Sequence, residues 1–145
     1  MITLSSISNP IRLGVAGLGR AFALSAPAIH AHPGVILVAA AEPNSEHRTA
    51  FANAFSAKTY SDVTELVSDP EVEAIYVSTP HGLHKEHALA AINAGKSVLI
   101  EKPMTVSLED ASLLIEAAKK AGVQLIVGPS HSFDGPVALA QSLID

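Results

Sequence analysis

The sequence predicts an α/β domain in which six parallel strands form one doubly wound sheet, with helices on both of its faces. The first observation is a series of short apolar runs without alternating polar residues, such as residues 35–41, which is typical of strands buried on both faces. The second is that longer, helix-like segments separate these runs. Right-handed crossovers between parallel strands then place helices over each face of the sheet.

The first half of the chain contains three of these strand-and-helix units. The turn Gly17-Leu18-Gly19 ends the first strand, the pair Pro33-Gly34 interrupts the chain before the second, and Asn44 is a good residue to cap a helix. We expect strands at residues 11–16, 35–41 and 59–60, and helices at residues 20–31, 44–55 and 62–67.

The second half repeats the alternation. Gly95 ends one helix, Ser107 and Asp110 resemble a capping box that opens the next, Gly122 ends that helix, and Pro136 suits the first turn of the last one. We expect strands at residues 74–78, 97–100 and 123–127, and helices at residues 83–94, 107–122 and 136–144.

Length, composition and charge restrict the class of protein. A chain of 145 residues fits one compact domain, which we assign to residues 1–145. Hydrophobic residues make up 48% and charged residues 16%, and no apolar run is long enough for a membrane helix, so a soluble protein without a membrane partner is expected. The formal charge of -5, with 9 scattered Lys and Arg residues, argues against a nucleic-acid partner.

Cysteine is absent, which excludes disulfides, thiolate metal sites and cysteine nucleophiles. The first residues lack the basic and apolar regions of an export signal, so a cytoplasmic location is expected. Exposed apolar surface could also drive self-association into a homo-oligomer.

The glycine turn after the first strand has the features of a phosphate-binding loop. Gly17 allows a tight turn, Gly19 allows a ligand to approach the backbone, and the helix that follows presents free N–H groups at its positive end. An ordinary turn of an α/β fold explains two glycines equally well. Phe22 stands where the fingerprint of dinucleotide-binding proteins has glycine or alanine. The candidate pyrophosphate-binding residues are Gly17, Leu18, Gly19, Arg20 and Ala21.

Glu42 ends the second strand at the distance from the glycine turn where a carboxylate binds the ribose hydroxyls of an adenosine. Its charge would repel a 2'-phosphate, which favours NAD over NADP. Arg48 lies close enough in sequence to keep NADP as the less favoured alternative. A solvated acid at a strand end is the alternative explanation of Glu42.

Two further strands end in polar segments. Ser78-Thr79-Pro80 and Glu101-Lys102-Pro103 follow buried strands, at the rim where open α/β sheets bind ligands. A surface salt bridge between Glu101 and Lys102 is the alternative, but it explains neither the proline nor the position at the rim.

Together these motifs resemble the N-terminal domain of the glucose-fructose oxidoreductase, inositol dehydrogenase and rhizopine-catabolism (Gfo/Idh/MocA) family. The matching segments are Gly17-Leu18-Gly19, the loop from Thr79 to His84, Ala94-Gly95-Lys96 and Glu101-Lys102-Pro103, in the family's order and spacing. His81 replaces the asparagine that is usual in the loop. The segments "GLGRAF" and "HSFDGPV" are most similar to the 4,5-dihydroxyphthalate dehydrogenases of this family.

The resemblance implies hydride transfer between a nicotinamide and a hydroxyl-bearing carbon of a sugar, cyclitol or dihydrodiol, with Lys102 beside the reacting oxygen. An ammonium group there can stabilise the negative charge that develops as the hydroxyl loses its proton. We expect Lys102 to be partly desolvated and held by Glu101. The remaining residues implied to contact cofactor are Ser78, Thr79, Pro80 and His84, together with Glu101 and Lys102 themselves.

The family also carries a second domain that binds the substrate, and none of it is present in this chain. We therefore expect cofactor binding with little or no turnover from these 145 residues. A non-catalytic NAD(H)-binding module with a redox-sensing or assembly role is the first alternative. A metal-dependent hydrolase is the second, but the spacing of His81, His84 and His87 converges poorly on an ion, so we expect no metal site.

Two smaller sets of residues are not assigned catalytic roles. Ser130, His131 and Asp134 have the residue types of a catalytic triad but lie too close in sequence, so we place them at a strand-to-helix corner near the nicotinamide. His87 is interpreted as an ordinary residue of the helix surface.

Overall fold

The computed structural model describes residues 9–128 and 135–143 and contains one sheet of six parallel strands. The strand order is β3-β2-β1-β4-β5-β6, and every neighbouring pair is parallel. The strands are β1 (Ile11–Ala16), β2 (Val35–Ala41), β3 (Lys58–Tyr60), β4 (Ala74–Val77), β5 (Ser97–Ile100) and β6 (Leu125–Val127). The predicted doubly wound α/β fold is confirmed.

Helices connect successive strands and cover both faces of the sheet. They are α1 (Arg20–Ala31), α2 (Ser45–Phe55), α3 (Val63–Ser68), α4 (His84–Asn93), α5 (Leu108–Ala121) and α6 (Gly135–Ser142), with a short 3-10 turn at His81–Leu83 before α4. Within the described residues, no helix combines the length and apolar character that crossing a membrane requires.

Each face of the sheet has its own hydrophobic core. On one face, α3, α4 and α5 pack against the strands through fully buried side chains such as Leu66, Ile92 and Leu114. On the other face, α1 and α2 contribute Phe22 and Phe51 to a smaller cluster. Because both faces are covered, apolar residues recur along the strands without alternation, as in the sequence pattern.

Phe22, at the departure from the dinucleotide fingerprint, is buried in the smaller core. Its ring lies 5.7 Å from that of Phe51 and 6.3 Å from that of Phe55, measured between centroids. The large side chain therefore fills the space between α1 and α2, and leaves the two glycines of the turn free.

The predicted helix starts are confirmed by their caps. Asn44 accepts hydrogen bonds from two backbone N–H groups at the start of α2, Asp62 does the same at α3, and the hydroxyl of Ser107 accepts from the N–H of Asp110 at α5. These side chains satisfy N–H groups that have no partner within the helix.

Several boundaries differ from the expectation. The strand predicted at residues 123–127 begins only at Leu125, because the N–H of Val123 donates to the carbonyl of Ala118 and so closes the end of α5. The helix predicted at residues 83–94 is divided into the 3-10 turn and α4, and α4 ends at Asn93. The third strand begins one residue before the expected residues, at Lys58.

Candidate dinucleotide-binding site

The glycine turn lies between β1 and α1, where the strand order changes direction. Gly17 has a φ of +89°, and a Cβ atom at this position would lie 2.9 Å from Cγ2 of Thr79 and 3.0 Å from its backbone nitrogen. A side chain is therefore excluded both by the backbone conformation and by the close approach of the segment after β4.

Ser78 fixes this close approach. Its buried hydroxyl donates a hydrogen bond of 2.7 Å to the carbonyl oxygen of Gly17, and its backbone N–H donates to the carbonyl of Ala16. The hydroxyl hydrogen of Ser78 is therefore used to hold the glycine turn, and a contact between Ser78 and the cofactor stays a prediction.

The N-terminus of α1 is open to a ligand. A Cβ atom on Gly19 would meet no atom within 4 Å, no side chain caps the helix, and its first turn holds no acidic residue. Among the described residues, the N–H groups of Arg20 and Ala21 have no acceptor. These groups and the helix dipole favour an anion such as a pyrophosphate.

Glu42 joins the end of β2 to the glycine turn. One carboxylate oxygen accepts from the N–H of Leu18 at 2.9 Å, and the other accepts from the N–H of Asn44 at 3.1 Å. Each oxygen can accept at least one more hydrogen bond, so the carboxylate can still bind a diol. The N–H of Leu18, expected to face a phosphate, is instead used by Glu42.

Arg48 lies beside the same strand end. Its Nη1 atom donates to the carbonyl oxygens of Glu42 and Pro43, at 2.6 and 2.7 Å. The guanidinium group is therefore held by the backbone next to the Glu42 carboxylate.

A cleft of about 430 Å³ opens above these groups, a volume in the usual range for small-molecule sites. Of the predicted cofactor-binding residues, its wall includes Gly17, Gly19, Glu42, Ser78, Thr79 and Pro80. The other residues of the wall are Ala41, Pro43, His47, Ser61, Asp62, Val63, Leu83 and His87. Glu101 and Lys102 are not part of this wall, but they follow β5, which is the neighbour of β4.

The expectation that Glu101 holds the side chain of Lys102 is wrong. One oxygen of the Glu101 carboxylate accepts a hydrogen bond of 2.6 Å from the hydroxyl of Tyr76, and the other contacts the backbone N–H of Lys102 at 3.3 Å. No ion pair involves the Lys102 ammonium among the described residues. Lys102 is also exposed, and not desolvated as expected.

Tyr76 was not singled out by the sequence. Its side chain is buried on the face of β4 that packs against α1, and its hydroxyl also lies 3.4 Å from that of Ser25. Burial, together with the hydrogen bond to Glu101, raises the pKa of Tyr76 to about 12. Tyr76 is therefore a neutral hydrogen-bond donor at physiological pH.

His84 is placed differently from the expectation that it contacts the cofactor or substrate. It is fully buried, and its ring nitrogens lie 2.9 Å from the carbonyl oxygens of Thr79 and Pro103. Both nitrogens are thus used within the protein. His84 connects the loop after β4 to the loop after β5.

The interpretation of His87 as an ordinary residue of the helix surface is wrong. The side chain is half-buried in the wall of the cleft, and its Nδ1 atom lies 3.0 Å from the hydroxyl oxygen of Thr79. Burial lowers the pKa of His87 below its usual value, so its ring is neutral at pH 7. The spacing of three residues from His84 is the signal that could have indicated a shared direction on α4.

The histidines do not form a metal centre in the part of the chain that the structure describes. There, no group of three or more His, Asp or Glu side chains is placed to hold an ion. The rings of His81 and His84 lie 5.4 Å apart, edge to face. Ser130, His131 and Asp134 fall outside the described residues.

Comparison with known proteins supports what the geometry indicates. The sequence profile of the Gfo/Idh/MocA proteins, an oxidoreductase family with an NAD-binding Rossmann fold, matches residues 11–129. The chain belongs to the Gfo/Idh/MocA family. The match covers β1 to β6 and the four segments that carry the resemblance to the family, from Gly17 to Pro103.

Characterised members of the family are similar over most of this chain. The 1-carboxy-3-chloro-3,4-dihydroxycyclohexa-1,5-diene dehydrogenase of Comamonas testosteroni is 46% identical over 136 residues, which is 93% of this chain and 34% of that protein. The glucose-6-phosphate 3-dehydrogenase of Bacillus subtilis is 32% identical over 133 residues, or 92% of this chain and 37% of that protein. The chain thus spans about a third of the length of these relatives.

Solved structures of the family share the fold. The WlbA dehydrogenase of Bordetella pertussis, in complex with NADH and UDP-GlcNAcA, is 30% identical and superposes with a TM-score of 0.89. The alignment covers 94% of this chain and 41% of that one. The 3-ketoreductase KijD10 of Actinomadura kijaniata, in complex with NADP, is 29% identical with a TM-score of 0.89, over 94% of this chain and 44% of that one.

Proposed function

We propose that the chain binds a nicotinamide dinucleotide in the cleft above the glycine turn, with NAD preferred to NADP. The observation that carries this proposal is the juxtaposition of the Glu42 carboxylate with the open N-terminus of α1 in one cleft. A pyrophosphate fits the free N–H groups, and an adenosine ribose fits the carboxylate.

The residues present fit this cofactor. Gly19 leaves open space where the pyrophosphate approaches, and the remaining lone pairs of Glu42 suit the two hydroxyls of a ribose. When it is bound, the nicotinamide supplies or accepts the hydride. The chain's own residues bind the cofactor and set its position.

The preference for NAD rests on charge. A 2'-phosphate would lie beside the Glu42 carboxylate, and two neighbouring negative groups repel each other. Arg48 is the group that could offset this repulsion, but its Nη1 atom is held by two backbone carbonyls. One structural relative was solved with NADH and another with NADP, so both cofactors occur among the relatives.

The proposed activity of the protein that contains this chain is hydride transfer at a hydroxyl-bearing carbon of a sugar, cyclitol or dihydrodiol. Lys102 is the proposed catalytic residue, because its ammonium is exposed at the rim next to the cleft and has no carboxylate partner among the described residues. The similarity to a dehydrogenase of a dihydroxycyclohexadiene makes a cyclic dihydrodiol, including a dihydroxyphthalate precursor, the first substrate to test. A cytoplasmic location, a separate substrate domain and self-association stay predictions.

Fluorescence titration with NADH and NADPH tests the cofactor assignment. The wild-type chain should bind NADH at least about 10-fold more tightly than NADPH, and Glu42→Ala should remove most of this preference. Glu46→Ala is the matched control, because Glu46 is an exposed acid in the first turn of α2 whose side chain has no role in the cleft. Equal affinity of the wild type for both cofactors would refute the preference, and no binding of either would refute the site.

Turnover tests the role of Lys102, measured in the protein that contains this chain. Lys102→Ala should lower kcat by about 100-fold or more, a much larger factor than its effect on NADH affinity. Lys119→Ala, an exposed lysine in the last turn of α5, is the control. An unchanged kcat in Lys102→Ala would exclude Lys102 as the catalytic residue.

A further inference from the structure

The wall of the cleft on the α4 side has no role in the proposed binding of pyrophosphate and ribose. It is formed by Leu83 and His87, with Val63 at the start of α3. The glycine turn accounts for the pyrophosphate and Glu42 for the ribose, so the remaining part of the cleft is available for the group attached to that ribose. In a dinucleotide this group is the adenine base.

The residues of this wall suit a flat heterocycle. Val63 and Leu83 are apolar and can pack against the faces of a ring, whereas His87 offers a ring nitrogen to its polar edge. Adenine presents both donors and acceptors on its edge. Either tautomer of a neutral imidazole therefore finds a matching atom.

The His87 ring is held in a defined orientation. Its Nδ1 atom is bonded to Thr79, which is itself pressed against Gly17 at the glycine turn. Among the described residues, the Nε2 atom of His87 has no hydrogen-bond partner. Every buried side-chain nitrogen or oxygen of these residues does have a partner, so Nε2 is not one of the buried atoms. The Nε2 atom is therefore accessible, on a side chain that lines the cleft.

We propose that His87 contacts the adenine base of the bound dinucleotide through Nε2, with Thr79 holding the ring in position. This inference rests on the proposed function, since it assumes that the cleft holds a dinucleotide. Nothing in the family match or in the resemblance of the motifs assigns a role to this histidine. Because burial keeps the His87 ring neutral, the contact adds no charge beside the base.

Ligands that contain only one half of the dinucleotide distinguish this contact from a general effect on the cleft. His87→Ala should weaken NADH and ADP-ribose by the same factor, about 3- to 10-fold, which is the usual effect of one lost hydrogen bond. It should leave reduced nicotinamide mononucleotide, which lacks adenosine, within about 2-fold of wild type. His87→Gln, which keeps a polar group of similar reach, should recover part of the loss.

Asn93→Ala provides the control, because Asn93 is exposed at the end of the same helix and lies outside the cleft. It should bind all three ligands as the wild type does. Circular dichroism of each variant shows whether α4 is intact. An equal loss for NADH and the mononucleotide, or no loss for either, would overturn the proposal.

Proton NMR of the histidine rings gives a second measurement that does not depend on a variant's affinity. The chain has 7 histidines, and the resonance of His87 is identified by its absence in His87→Gln. Adding AMP should shift this resonance, whereas adding nicotinamide mononucleotide should not. An unshifted His87 resonance at saturating AMP would overturn the contact while leaving dinucleotide binding standing, whereas failure of the wild type to bind NADH at all would overturn the proposed function as well.

Discussion

The hydroxyl group of Tyr76 donates a hydrogen bond of 2.6 Å to the carboxylate of Glu101, from one strand to the end of its neighbour. On the other side of Lys102, the carbonyl of Pro103 is held by the buried ring of His84. The backbone of Lys102 is therefore fixed by its two neighbours in sequence, and its own side chain is left free at the rim. This arrangement positions an ammonium group without an ion pair that would neutralise it.

Removing the Tyr76 hydroxyl should measure the strength of this link. Tyr76→Phe should lower the free energy of unfolding by about 2 kcal/mol, because a hydrogen bond to a carboxylate is lost inside the protein. Urea denaturation of Tyr76→Phe, Glu101→Gln and the double variant forms a double-mutant cycle. Strictly additive effects would contradict a direct interaction between the two side chains.

The same link predicts a pH dependence of stability. The pKa of Tyr76 is raised from 10.0 to about 12, so the folded state keeps this proton more tightly than the unfolded state. Its contribution is complete below pH 10 and is lost as the pH rises towards 12. The free energy of unfolding should fall over this interval in the wild type and fall less in Tyr76→Phe. Parallel curves for the two proteins would refute the assignment.

Substitution by alanine should have different effects on stability and NADH binding at Gly17, Gly19 and Gly82. Gly17→Ala should lower the free energy of unfolding by about 2 kcal/mol or more, because of its positive φ and the contact with the Thr79 backbone. Gly19→Ala should fold normally but bind NADH more weakly, since the methyl group enters the space above the turn. Gly82→Ala, with open space and no positive φ, is the control. Denaturation and NADH titration measure both properties, and a stable Gly17→Ala would contradict the close approach.

His84 should matter for stability more than for direct contact with the cofactor. His84→Ala removes a ring that contacts two carbonyl oxygens and leaves a cavity in a fully buried position, so the free energy of unfolding should fall by about 3 kcal/mol. His81→Ala replaces an exposed histidine of the same loop and should change the free energy of unfolding by less than about 0.5 kcal/mol. Thermal and urea denaturation give both values. Equal stability of the two variants would show that His84 does not hold the loops together.

Asp69, in the turn between α3 and β4, should control stability in acid. Burial alone would raise its pKa, but hydrogen bonds from the N–H of Glu71, the hydroxyl of Tyr60 and the ammonium of Lys58 hold the pKa of Asp69 below its usual value. Its stabilising contribution is therefore present above about pH 4 and is lost as the pH falls through the lowered folded-state pKa.

Asp69→Asn should accordingly be less stable than the wild type at pH 7, and the difference should narrow on acidification. Urea denaturation at pH 7 and at about pH 3 measures this change. Glu116→Gln, an exposed carboxylate on α5 without a described partner, serves as the control and should show no such narrowing. A constant difference between wild type and Asp69→Asn at the two pH values would contradict the assignment.

Most of the fold could be predicted from the sequence because its signals are local. Short apolar runs predicted the strands, and the caps Asn44 and Ser107 or the glycine at residue 122 predicted where helices begin or end. The start of β6 could not be predicted, since Val123 is as apolar as a strand residue and only its hydrogen bond to Ala118 assigns it to the end of α5.

The site was predicted in part, for a related reason. Gly17, Gly19 and Glu42 follow strand ends at a fixed spacing, and parallel strands bring their carboxyl ends to one edge. The contact of Glu101 with Tyr76 and that of His84 with Pro103 join residues 25 and 19 positions apart, so no local signal in the sequence indicates them.

The sequence by itself determined the order of strands and helices and the edge of the sheet where polar residues collect. Periodicity and turn residues act over a few positions, and each motif carries its own local information. Only the tertiary structure decided which side chains bond to each other at that edge. Tyr76 reaches Glu101 because β4 and β5 pair in parallel with Tyr76 opposite Leu99, two residues before Glu101. His84 joins Thr79 to Pro103 because α4 packs on the sheet and buries this ring between the loops after β4 and β5.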